Sequence, residues 1–174
     1  MNTKDFQPEI FKLFDDQWGI LTAGDKDAFN SMTISWGMLG TLWCMPHKGK
    51  NVCAVFVNPA RYTYGFMEKS DYYTVSFFDN KKYQKALGIM GSKSGRDMDK
   101  AKASGLTPKY LEHGVTYEEA ELLLSSGKST AMSFSWGKCQ RMSSRDSIPK
   151  AVCRTRCISE KSSRPSGKSR PSTL

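Results

Sequence analysis

Asn30-Ser31-Met32-Thr33-Ile34-Ser35-Trp36 is the stretch whose reading decides the fold. Ser31, Thr33 and Ser35 fall on one face and Met32, Ile34 and Trp36 on the other, the period of a strand with one polar and one apolar side. Asp25-Lys26-Asp27 supplies a turn before it, and Gly37 ends it. Short hydroxyl side chains beside strand amides suit a flat, polar-edged heterocycle or a phosphate. An ordinary half-buried strand has the same alternation.

Working outward, Phe6, Ile10, Phe11, Leu13 and Phe14 predict a short opening helix with one apolar face, and residues 18–24 a first strand closed by Gly24. After the motif, Gly37, Gly40 and Pro46 are expected to break the chain before a strong strand over residues 51–57. Pro59 starts a turn into a helix over residues 62–69, and the aromatic, β-branched run 72–78 is another strand. Asp79 or Asn80 can cap a helix through about Met90, with Gly91 as its stop. Ser94 with Asp97 forms a loose capping box for a short helix through Lys102, ended near Gly105. A strand then begins at Thr116 and reaches Leu124. Strands interrupted by short helices, without a regular β-α-β rhythm, point to a mainly β protein built as an antiparallel barrel with helical insertions.

The chain is long enough, at 174 residues, for one domain with a real core. Its charge is lopsided. Of the 26 Lys and Arg and 17 Asp and Glu, residues 1–124 hold 15 of each, so the net charge of +9 lies wholly in residues 125–174. No apolar run is long enough to span a bilayer, and Met1-Asn2-Thr3-Lys4-Asp5 has no hydrophobic signal core; the expected compartment is the cytoplasm. Cys44, Cys53, Cys139, Cys153 and Cys157 include no C-x-x-C pair and read as free thiols. With His47 and His113 far from them, no metal-site spacing exists, and both histidines read as surface residues.

Asn30-Ser31-Met32-Thr33-Ile34-Ser35-Trp36-Gly37-Met38-Leu39-Gly40 resembles the signature of the flavin reductase-like family of FMN-binding split barrels. Two later stretches agree: Val55-Phe56-Val57-Asn58-Pro59-Ala60-Arg61-Tyr62-Thr63-Tyr64 and Gly91-Ser92-Lys93-Ser94-Gly95-Arg96-Asp97-Met98-Asp99-Lys100. The resemblance runs from about Gln7 to Leu124. It implies a Greek-key split β-barrel, a homodimer, and FMN with its ring against Asn30, Met32, Thr33, Ile34 and Ser35. Arg61, with Thr63 and the amides at the Tyr62 helix start, would hold the phosphate, and Ser92, Lys93 and Ser94 would also contact FMN.

Local chemistry is compatible with those roles. A guanidinium beside the amides that open a helix matches a phosphate dianion, and a glycine-bearing cationic loop suits an anion. The plainer readings are an Asx turn at Asn30, a surface Arg61 and a solvated basic turn at residues 92–96. Arg96 is open to a nicotinamide cofactor's phosphates or an internal ion pair; Asp97 and Asp99 read as helix-start charges. Trp36 and Trp43 read as core or dimer interface. Two departures from the family pattern stand nearby: Asn58 in place of a basic residue and Gly65 in place of an acid. No catalytic side chain and no metal is implied.

The implied activity is that of an NAD(P)H-dependent flavin reductase: hydride passes from NADH or NADPH to FMN, and electrons go on to a small-molecule or protein acceptor. A non-enzymatic FMN-binding electron carrier is the alternative. A barrel that binds nucleic acid through its basic tail is a third reading, disfavoured by the tail's scarcity of aromatic residues. No membrane partner is expected.

Residues 125–174 form a basic, Ser/Arg-rich tail without apolar periodicity, expected to be irregular or disordered. Read one base out of register with free synonymous codons, residues 125–162 permit a peptide with a charged strand, an acidic amphipathic helix and a final apolar strand. That ending resembles the family's, and a single-base frameshift near residues 123–126 accounts for it. Residues 1–124 would then be a barrel domain incomplete at its C-terminal end.

Overall fold

The computed structural model describes residues 9–44, 48–133, 150–155 and 158–161. A single wide turn over Lys12–Asp16, closed by the Gln17 amide donating to the Lys12 carbonyl at 2.9 Å, buries Leu13 and Phe14 and leaves Phe11 92% exposed. The described part of the opening helix runs over residues 10–16. Its five-residue closure turns only Leu13 and Phe14 inward, and Phe6 lies outside the described residues.

Strands β1 (Gly19–Gly24) and β2 (Phe29–Ile34) form a hairpin. Asp25 Oδ1 accepts from the amides of Asp27 (2.9 Å) and Ala28 (3.1 Å), and Gly24 at φ +113° opens the turn where a Cβ would collide with the Ala28 carbonyl. The predicted motif strand is thus present, although Ser35 and Trp36 lie beyond its end. Strands β3 (Gly37–Cys44) and β4 (Lys48–Val57) follow as a second hairpin. Gly37 and Gly40 do not break this segment. Each pairs with the apolar β4, opposite Val55 and Val52, and the ladder outweighs local glycine preference. Pro46 lies outside the described residues.

Helix α1 (Tyr62–Lys69), strand β5 (Tyr72–Phe77) and helix α2 (Asn80–Ser92) come next. The Asp79 carboxylate accepts from the Lys81 amide at 3.1 Å and caps α2, which continues through Gly91 rather than stopping there. Helix α3 (Lys100–Ser104) is capped by Asp99, whose Oδ1 accepts from the Lys102 amide at 3.0 Å, and ends at left-handed Gly105. Ser94, the expected cap, instead accepts from the Arg96 amide at 3.2 Å, in a turn that precedes the helix. A small hairpin of β6 (Pro108–Leu111) and β7 (Gly114–Tyr117) leads to the long β8 (Leu122–Ser133), then β9 (Lys150–Thr155) and β10 (Ile158–Lys161).

All ladders are antiparallel, in the order β2-β1-β5-β8-β9-β4-β3, with β10 on the other edge of β8. The sheet divides at β8. Its residues 122–127 pair with β5, and from Lys128 it pairs with β9, with a register irregularity between Lys128 and Thr130. Pairing therefore runs past the Leu124 boundary that composition marks. Residues 134–149, 156–157 and 162–174 of the basic tail lie outside the described residues.

Between the half-sheets sits the main core of Leu21, Ile34, Val55, Tyr73, Val75, Phe77 and Leu124, with Leu13, Phe14 and Met67 closing it. A second cluster, including Ile20, Phe78, Leu87, Met90 and Tyr117, joins the outer face of β1 to α2 and α3. Each fully buried side chain of this size contributes roughly 1.5–3 kcal/mol of hydrophobic free energy. Strands β1 and β5 are covered on both faces, so Thr22, Thr74 and Ser76 are as buried as their apolar neighbours. Among the described residues no helix is long and apolar enough to cross a membrane.

Candidate functional site

The start of β2, the first turn of α1, the C-terminal end of α2 with its following loop, and the first residue of α3 enclose a cavity of about 150 Å³. Local sequence explains why α1 begins there. Asn58 Oδ1 accepts from the Ala60 amide (2.9 Å) and the Asn58 carbonyl accepts from the Arg61 amide (2.9 Å), so β4 turns into α1 over Pro59. Arg61 occupies the N-cap without making a side-chain capping bond.

Asn30 holds the cavity together. Its Nδ2 donates to Thr63 Oγ1 at 2.7 Å, and both residues are buried. Gly95 packs so closely that a Cβ there would collide with Asn30 Oδ1 and stand 3.3 Å from Tyr62 Cδ1. Asn30 is therefore a bridge between segments, and the Asx turn is made by Asp25. Arg96 lies over the Tyr62 ring at 4.7 Å, which fixes the far end of the loop. Gly91 brings α2 against β2, 3.3 Å from Thr33 Cβ for a built Cβ.

Of the residues singled out from sequence, Asn30, Met32, Arg61, Tyr62, Thr63, Ser92, Lys93 and Ser94 all line this cavity. Thr33, Ile34 and Ser35 do not. Thr33 Oγ1 donates to the Leu87 carbonyl at 2.6 Å, Ile34 is in the main core, and Ser35 is half-buried beyond the strand. The hydroxyl face of the motif strand is covered, because α2 and β7 pack on it. Ser31 Oγ lies 2.8 Å from Thr22 Oγ1 and 2.7 Å from Tyr117 Oη, whose pKa burial pushes up to about 12 against these hydrogen bonds.

Among the described residues, four cations, Arg61, Lys93, Arg96 and Lys100, line the cavity, and no carboxylate does. Lys100 was not singled out by sequence. It is only 6% exposed, and its Nζ donates to the Met90 carbonyl at 2.9 Å. Nothing in the local pattern separates it from Lys102, which is exposed. Burial first, and then the Arg61 charge, push its pKa down to about 8. Such a wall attracts an anion, and its mix of guanidinium, ammonium, hydroxyl and helix N-terminal donors matches a phosphate monoester. The volume is below the roughly 300–1,000 Å³ of pockets for whole ligands, so it suits the phosphate end of a larger molecule.

Elsewhere, His113 stacks on Tyr72 at 4.2 Å on the surface; His47 lies outside the described residues. Trp36 is 64% exposed and so is not core. Cys53 is buried.

The architecture, a sheet divided at one long strand with helices over the outer face of β1, matches solved structures. An FMN-binding protein from Thermus thermophilus with bound 1-cyclohex-2-enone superposes with a TM-score of 0.64 at 16% identity, over 90% of this chain and 76% of that one. This chain has the split-barrel fold. The flavoredoxin of Desulfovibrio vulgaris shares the split barrel at TM-score 0.61 and 18% identity, over 92% and 76% of the two chains. A protein from Shewanella frigidimarina, described as a flavin reductase with a split barrel domain, does so at 0.60 and 14%, over 91% and 73%. No protein-family model and no curated protein sequence matches the chain.

Proposed function

We propose that the protein binds FMN and acts as a flavin reductase, taking hydride from NADH or NADPH and passing electrons to a small-molecule or protein acceptor. The observation that carries this reading is the cavity wall of four cations and no acid among the described residues, built by the start of α1, the 92–96 loop and the first residue of α3 on a split barrel. Arg61 and Lys93 would neutralise the phosphate, with Thr63, Ser92 and Ser94 offering hydroxyls beside it. Met32 provides an apolar wall. Bound flavin supplies the redox chemistry, accepting a hydride and releasing its electrons onward. The chain's own part is to hold and orient, since the hydride step calls for no proton-transferring side chain.

A homodimer belongs to the same reading. Edge strand β3 exposes Met38 and Leu42 and begins beside the exposed Trp36, a surface that a second copy would cover. The test is direct. Purified protein mixed with FMN should retain yellow colour through gel filtration and bleach with NADH or NADPH under anaerobic conditions. Retained colour without bleaching would favour the electron carrier, and a colourless folded protein would overturn flavin binding.

A further inference from the structure

Lys100 is buried as few lysines are, and among the described residues no acid on the cavity wall answers it. The ammonium spends one of its three donors on the Met90 carbonyl. From α1 the charge facing it is Arg61; from the 93–99 loop come Lys93 and Arg96, while the neighbouring Asp99 is turned to the Lys102 amide as a helix cap. Helix α2 contributes only the neutral Met90, Gly91 and Ser92 to this wall, and β2 the amide of Asn30. Two cations drawn together and partly desolvated without a counter-ion are costly, and an anion between them relieves the cost.

We propose that Lys100 is a counter-charge for the phosphate monoester taken by this cavity, and that the site takes up a proton together with that ligand in alkaline solution. The identity of the ligand rests on the FMN reading; the anion site itself does not. With its pKa held near about 8 in the empty site, Lys100 is charged at neutral pH and binding needs no proton there. Above that pH the ammonium must be re-formed as the dianion binds, so affinity falls by up to about tenfold per pH unit. The phosphate is already doubly ionised in that range, its second pKa being about 6.

The experiment uses the full chain, unaltered and as Lys100→Met and Lys100→Arg. FMN and riboflavin are titrated by fluorescence quenching from neutral to alkaline pH, and inorganic phosphate is added in thermal melts. Lys100→Met should weaken FMN by about 10–100-fold and leave riboflavin unchanged. Lys100→Arg should keep the neutral-pH affinity but lose the alkaline fall, since guanidinium stays charged. Equal weakening of both flavins, no weakening, or an alkaline fall that survives in Lys100→Arg overturns the proposal. Should Lys100→Met fail to fold, the Lys100→Arg profile decides alone. If neither flavin binds but phosphate at neutral pH raises the melting temperature of the unaltered chain and of Lys100→Arg more than that of Lys100→Met, the Lys100 site stands and the FMN reading falls. Absence of every one of these responses overturns both.

Discussion

Asn30 Nδ2 donates to Thr63 Oγ1 at 2.7 Å across 33 residues of sequence, tying the start of β2 to the first turn of α1. The same side chain backs onto Gly95, so one amide spaces three segments of the cavity wall. Replacing Asn30 by Ala leaves a buried hydroxyl unpaired and should cost about 1–3 kcal/mol of stability. FMN affinity should fall on the order of tenfold with it. Urea melts and flavin titration measure the two effects, and undiminished affinity would count against Asn30 as the spacer.

Glycines near and away from the cavity should respond oppositely. Gly95→Ala places a methyl where Asn30 Oδ1 stands, so the loop must shift and flavin binding should weaken about tenfold. Gly65 in α1 and Gly88 in α2 have nothing within 4 Å of a built Cβ. Gly65→Ala and Gly88→Ala should each stabilise by about 0.5–1 kcal/mol through helix propensity. Chemical denaturation of the three variants checks this contrast.

Lys100 makes stability depend on pH in a defined direction. Its pKa is about 8 in the folded chain against the usual 10.5, so between those values the unfolded chain holds more protons and stability rises with pH. Below about pH 8 both states are protonated and the cost of the buried charge is felt in full. Lys100→Met should therefore raise the melting temperature of the ligand-free protein at neutral pH, with the gain shrinking toward pH 10.5. A variant that melts lower at neutral pH and shows no such trend would contradict this assignment.

Ser126 is fully buried on β8, and its hydroxyl has no hydrogen-bond partner among the described residues. It stands immediately after Ser125, where the one-base-shifted reading of the tail begins. Ser126→Ala should stabilise by about 1 kcal/mol, since an unanswered hydroxyl is lost and little volume changes. A chain carrying the restored reading from residue 125 should melt higher still and retain more FMN. If no one-base change in the coding DNA restores that reading, the frameshift account ends; equal stability and flavin content would instead overturn the expected gain of the restored chain.

Much of the framework was legible in the sequence. The strand period of residues 30–34, the aromatic and β-branched run of β5 and the turn chemistry at Asn58-Pro59 are local properties, and α1 occupies the residues its pattern predicted. Eight of the residues lining the cavity fall in the three stretches that carry the family resemblance, which singled them out where local pattern alone left plainer readings open. Periodicity records only whether a side chain has an apolar or polar face to meet, not which element meets it. Hence the hydroxyls of Ser31 and Thr33 read as wet, although Tyr117 and the Leu87 carbonyl, 86 and 54 residues away, take them inside. Gly37 and Gly40 read as breaks until β4 pairs with them. Lys100 is the sharpest case. A lysine opening a short helix looks solvated in sequence, and only the packing of α3 against α2 removes it from water, while the shared cavity sets its charge beside that of Arg61.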